Sequence, residues 1–212
     1  MYDDNYDMTD KELEEIGFMP YEVGATLYGN ETLKDREDGG FEVYSNDRGG
    51  PVLVRVVSPG GSPGGTVLFF EGPPGQERMV KTMFPNSTQF YEGPPGQERH
   101  VKSTFTNGNN SYYEGESGEE RLVKVELPNG GVQFFEGPTG QERLTAARVP
   151  AGDEIAEGYY IFEGSRGQER MVRRVFREYE FLYEGEKGKE RVVLTKFVEG
   201  YQNDGVYESE FD

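Results

Sequence analysis

One eleven-residue phrase, aromatic-Glu-Gly-x-x-Gly-x-Glu-Arg-x-Val, occurs six times in this chain, with Thr145 in place of the last Val in the fourth copy. The copies begin at Phe70, Tyr91, Tyr113, Phe135, Phe162 and Tyr183, at steps of 21, 22, 22, 27 and 21 residues. A fixed period of this size marks a repeat architecture, in which each unit buries little alone and stacks on its neighbours. It also fixes how single residues are weighed. A Glu or Arg present in every unit is expected to hold that unit together, because one active site needs its residues once.

Within a copy the residues specify a β-hairpin. Val67-Leu68-Phe69-Phe70-Glu71 is aromatic-rich and strand-like, Gly72-Pro73-Pro74-Gly75-Gln76 is turn chemistry, and Glu77 to Phe84 alternates again. With Pro74-Gly75 at the centre of the turn, Glu71 faces Arg78, Phe70 faces Met79 and Phe69 faces Val80. Side chains alternate between faces. Phe69, Glu71, Arg78, Val80 and Phe84 are therefore expected on one face, and Leu68, Phe70, Met79 and Lys81 on the other. Later copies such as Glu116-Ser117-Gly118 fit a type I turn with glycine in a bulge, a form that Pro73-Pro74 disfavours. In each copy the second glycine is expected to supply a positive φ. A bulge would shift this register by one. Polar turns at 85–88, 106–110 and 128–131 are short enough to return the chain antiparallel, so a continuous meander is the simplest product.

The ends depart from the phrase. Residues 44–55 place Tyr44, Gly49 and Val54 on the motif but lack its Glu-Gly and Glu-Arg pairs, and Val206-Tyr207-Glu208 reads as a single closing strand. Atypical terminal units suit an open array, whose free sheet edges invite aggregation. Residues 8–18 read as a short helix: Thr9 and Glu12 form a capping box, Met8 and Leu13 a hydrophobic staple, and Gly17 the stop. The fold expected is all-β, an elongated single-layer antiparallel meander of tandem β-hairpin repeats with a short N-terminal helix. An acidic segment, 1–40, precedes the repeat domain, 41–212.

Charge bounds the partners. Of a net −18, residues 1–48 carry 14 acidic and 4 basic side chains and residues 198–212 carry 5 acidic and none basic. Nucleic acid and anionic membranes need clustered Lys and Arg, so neither is expected as a partner. The acidic ends read as solvated tails or as docking elements for a basic partner. Cysteine is absent, which excludes disulfides and thiolate sites. No apolar run approaches the length of a membrane span, and the acidic start lacks a secretory signal's apolar core, so a soluble, intracellular location is favoured.

Three sets of residues are candidates for function. The first is the six pairs Glu71 with Arg78, Glu92 with Arg99, Glu114 with Arg121, Glu136 with Arg143, Glu163 with Arg170, and Glu184 with Arg191. These are read as structural cross-strand pairs rather than as a row of Arg for an anionic ligand. The second is the aromatic ladder Phe70, Tyr91, Tyr113, Phe135, Phe162 and Tyr183, which with Phe69, Phe90, Tyr112 and Phe134 on the opposite face leaves one apolar face to meet a partner. The third is the long lead-in loop 149–158, with Asp153, Glu154 and Ile155, since insertions in repeat arrays map to loops that often bind. His100, the only histidine, occupies the packing position held by Met79, Leu122, Leu144, Met171 and Val192 elsewhere. Asp3, Asn5, Asp7, Thr9 and Glu14 follow EF-hand spacing, but Met8 stands where the glycine is needed and the capping box accounts for Thr9. No nucleophile elbow, phosphate loop or dinucleotide fingerprint occurs. No cofactor and no metal site are expected.

The Tyr-Glu-Gly opening, the glycine turn and the period in the low twenties resemble MORN repeats, over roughly residues 41–212. That resemblance implies tandem β-hairpins in a curved single sheet, used in scaffolds and membrane-associated assemblies. Where MORN units carry Gly-x-Gly in the second strand, this chain has Arg-x-Val, as in Arg78-Met79-Val80. It is more similar to MORN-like hairpin repeats in predicted proteins of unicellular algae and their large viruses, which imply no assigned activity. MORN lipid binding does not carry over, because the net charge has the wrong sign. The function expected is a non-catalytic scaffold subunit mediating protein–protein interaction within a larger assembly. The alternative is a module that binds carbohydrate or another small ligand through exposed Tyr and Phe. An enzyme would need residues that break the repeat and converge.

Overall fold

The computed structural model describes residues 27–46, 50–59, 65–151, 157–176 and 178–197. Over them the chain is all-β, fifteen strands following one another as an antiparallel meander in sequence order. The helix expected at 8–18, the EF-hand-like run, the strand expected at 206–208, and Asp153, Glu154 and Ile155 all lie outside the described residues. The chain packs as two compact units, Met1–Thr106 and Asn107–Asp212.

The first unit holds β1 (Glu31–Asp35), β2 (Phe41–Ser45), β3 (Val52–Ser58), β4 (Thr66–Glu71), β5 (Arg78–Phe84), β6 (Ser87–Glu92) and β7 (Arg99–Phe105). β1 lies within the stretch 1–40 that the sequence sets apart from the repeats, and it pairs with β2 from Glu31↔Ser45 to Asp35↔Phe41. The second unit holds β8 (Asn110–Glu114), β9 (Arg121–Glu126), β10 (Val132–Glu136), β11 (Arg143–Val149), β12 (Gly158–Glu163), β13 (Arg170–Phe176), β14 (Tyr179–Glu184) and β15 (Arg191–Phe197).

Every copy of the phrase turns the same way. In the first, the Gln76 amide donates to the Pro73 carbonyl at 3.0 Å, with Gly75 at φ +76°. Glycine with positive φ at the third position of such a turn defines type II, and Pro74 at the second position suits it. The same bond closes Glu116–Glu119 at 3.0 Å, with Gly118 at φ +84°. The later copies thus use the same turn as the Pro-Pro copies, not the type I turn the sequence suggests there. In a type II turn the residue before proline stays extended, so Pro73-Pro74 meets no conflict. The first glycine is required as well. A Cβ on Gly72, at φ +130°, would sit 2.5 Å from the Gln76 carbonyl oxygen.

The hairpin register departs from strict alternation at one residue. Phe70 faces Met79 as expected, but Phe69 faces Lys81, and Val80 is an extra residue between them. The same bulge recurs at Val54, Val101, Val123, Thr145, Val172 and Val193. The last residue of the phrase is therefore the bulge, even in the degenerate copy. This corrects the expected faces. From Lys81 onward the strand is flipped: Lys81 and Met83 join Phe69, while Thr82 and Phe84 join Phe70. We call the side bearing Phe69 and Val67 face A and the side bearing Phe70 and Met79 face B.

In the first unit face A carries the core. Phe41, Val43, Val57, Val67, Phe69 and Met83 form one cluster, with Tyr28, Val54 and Val80 packed against it. Arg55 lies in the same layer at 5% exposure, ion-paired to Glu31 with its guanidinium 5.1 Å from the centre of the Tyr28 ring. This pair ties β1 to β3 across the intervening β2. The second unit has less core: Ala146 and Val175 are its buried apolar side chains among the described residues.

Candidate interaction surface

Each Glu-Arg pair of the phrase stands directly opposite across its hairpin, through Glu71↔Arg78, Glu92↔Arg99, Glu114↔Arg121, Glu136↔Arg143, Glu163↔Arg170 and Glu184↔Arg191. Ion-pair separations are 3.5 Å for Glu71–Arg78, 3.3 Å for Glu92–Arg99, 3.4 Å for Glu114–Arg121, and 3.5 Å for both Glu136–Arg143 and Glu163–Arg170. The carboxylates are largely exposed, about two-thirds in the case of Glu71. Such pairs contribute roughly 0.2–1 kcal/mol each. The guanidinium also reaches forward: Arg78 Nη1 donates to the Gly93 carbonyl of the next hairpin at 3.3 Å, and Arg170 Nη1 to Gly185 at 3.4 Å.

The phrase has a second Glu, the one just before the Arg, and it makes the stronger link. Glu98 Oε1 accepts the Met79 amide of the preceding hairpin at 3.1 Å, and Glu142 Oε1 accepts the Leu122 amide at 3.3 Å. Each of these carboxylates also accepts its own amide and that of the turn glycine two residues before it. The reason lies in the register. β5 pairs with β6 only from Lys81 to Phe84, so the Met79 amide, beyond the bulge, has no backbone partner there. An unmet amide is costly, and the neighbouring hairpin's carboxylate satisfies it. For Glu98 burial opposes ionisation, but the three amides outweigh it and hold the carboxyl below its ordinary range. Glu142 is lowered by its own amide first, then by the others against a burial cost. Glu77 and Glu169 are lowered chiefly by their own amides and by turn-glycine amides. The sequence analysis assigns this Glu no role of its own. Its recurrence at one position in all six copies was the available signal.

On face A the bulge carries a lysine to each of the first three rings. Lys81 Nζ lies 4.1 Å from the Phe69 ring centre, Lys102 lies 6.0 Å from Phe90, and Lys124 lies 4.2 Å from Tyr112. A long aliphatic stem with its ammonium over the ring covers apolar surface while keeping the charge in water. Tyr112 also donates its phenol to Glu126 at 2.6 Å. Burial, then this bond, push its hydroxyl up to about 12.

On face B, Phe70, Tyr91, Tyr113, Phe135, Phe162 and Tyr183 are each half-buried. They stand opposite Met79, His100, Leu122, Leu144, Met171 and Val192. His100 packs at 5.6 Å from the Tyr91 ring, and its Nε2 lies 2.9 Å from the buried Ser103 hydroxyl, so this histidine is part of the packing. Face B also carries exposed rings in the last two strands. There Tyr179 is 40% and Phe197 65% exposed, their rings edge to face at 5.8 Å.

Among the described residues no group of His, Asp and Glu is placed to hold a metal ion, and no helix is long and apolar enough to cross a membrane. The chain matches no protein-family model, and comparison with curated proteins gives no match.

Proposed function

We propose that this chain is a MORN-like, non-catalytic scaffold subunit that meets partner proteins within a larger assembly through face B. One observation carries the reading: the same half-buried aromatic row, each ring opposite an apolar side chain or His100, recurs on one face in successive hairpins. A surface repeated at fixed spacing suits an extended protein partner, because equivalent contacts recur along it. The charged residues of the phrase do not gather at one point. They are engaged hairpin by hairpin in ion pairs and amide contacts.

The test places a photo-crosslinking residue at Leu122, on face B, and in a separate protein at Lys124, on face A. Under the proposal a stoichiometric protein crosslinks in cell extract from position 122 and not from 124. Crosslinking that is equal from both positions, or none from 122, would sink it.

A further inference from the structure

The edge of β15 is built to receive one more hairpin of this kind, and we propose that another polypeptide supplies it as an extended aromatic-Glu-Gly strand with its turn carboxylate. This concerns the sheet edge and goes beyond binding on face B. β15 ends the strand order among the described residues, and all seven of its residues are exposed. Val192, Val193 and Leu194 are 49%, 44% and 44% exposed, whereas the same positions in β5, Met79, Val80 and Lys81, are half-buried beneath the next hairpin.

The earlier hairpins show what such an edge accepts. Val192 faces Tyr183 in the register in which Met79 faces Phe70, so its amide points outward as that of Met79 does. For Met79 and Leu122 that amide is taken by the carboxylate of the following turn, Glu98 or Glu142. Arg191 stands where Arg78 and Arg170 donate to the first glycine carbonyl of the following hairpin. β15 carries Arg191 and Lys196 and no acidic residue, as β5 carries Arg78 and Lys81 and none. Strand addition of this kind draws affinity from main-chain bonds and specificity from the alternate side chains.

The experiment measures fluorescence anisotropy of a labelled peptide with the sequence of residues 87–105, titrated with the full chain. Saturable binding is expected. Val192→Pro removes the outward amide, which an edge strand tolerates, and should abolish binding while the far-UV spectrum and melting temperature stay those of the parent. Leu194→Lys restores the lysine that β5 carries as Lys81 at this position, beside which the next hairpin pairs, so it should leave binding unchanged. A peptide carrying Glu98→Gln should bind about tenfold more weakly, the loss expected for one charge-assisted bond. Absence of saturable binding, or binding indifferent to Val192→Pro and to the peptide change, overturns the proposal. So does binding that appears only when residues 198–212 are removed, since the edge is then taken by the chain's own continuation.

Discussion

Two glycines in each turn do different work, and single substitutions separate them. At Gly75 a Cβ would meet nothing within 4 Å, so only its φ of +76° resists a side chain. Gly75→Ala should cost about 1 kcal/mol. At Gly72 the Cβ would strike the Gln76 carbonyl, so backbone must move, and Gly72→Ala should cost at least twice as much. Urea denaturation of the two variants checks the order, and equal losses would contradict the turn geometry. Tyr112 offers a spectroscopic test. Its folded hydroxyl is raised to about 12 against an ordinary value of 10. The Tyr112 contribution to stability is therefore complete below about pH 10 and is lost as pH rises toward 12. In an ultraviolet titration of folded protein, Tyr112→Phe should remove one late-ionising tyrosine and leave the earlier part of the curve unchanged.

At the scale of the hairpin, the two glutamates of the phrase should rank opposite to their visibility. Glu71, largely exposed beside Arg78, should cost below about 1 kcal/mol as Glu71→Ala. Glu98→Ala leaves the Met79 amide unmet and should cost about 1–3 kcal/mol. The carboxyls of Glu77, Glu98, Glu142 and Glu169 are all lowered in the folded chain. A lowered carboxyl adds stability above its unfolded value, near 4.5, and that stability is lost as pH falls through the lower folded value. The melting temperature of the parent should thus exceed that of the fourfold Glu→Gln variant by a constant margin above about pH 5.5, and the margin should shrink as pH falls below the unfolded value. A pH-independent gap would mean that the carboxylates act only by shape. Much of the hairpin was legible in the sequence, because the period, the glycines and the opposed Glu and Arg each demand a particular local geometry. The bulge was not. Val80 is as good a strand residue as any, and nothing local marks it as the extra one, so strict alternation puts Lys81 and Phe84 on the wrong faces. The lysine cover of Phe69, Phe90 and Tyr112 and the amide left for Glu98 both follow from that one residue.

At the scale of the whole chain, near-identical phrases sit in unlike surroundings. The cluster around Val43, Val57 and Val67 belongs to the first unit, where Tyr28 packs against it and the Glu31–Arg55 pair brings in β1. The second unit repeats the phrase but buries Ala146 and Val175 as its apolar side chains among the described residues. Sequence periodicity could not show this, since β1 carries no copy of the phrase. In a repeat array each unit is stabilised chiefly by adjacent contacts, so stability need not be uniform along the chain. Amide hydrogen exchange should therefore be slowest in β2 to β5 and fastest in β15, whose residues are all exposed. Val57→Ala, which removes two methyl groups at a fully buried site, should cost about 2–3 kcal/mol. That loss should appear as faster exchange across β2 to β5, with β12 to β14 unchanged. If Val57→Ala sped exchange equally in every strand, the two units would unfold as one, and the repeat would describe how the chain is written without describing how it comes apart.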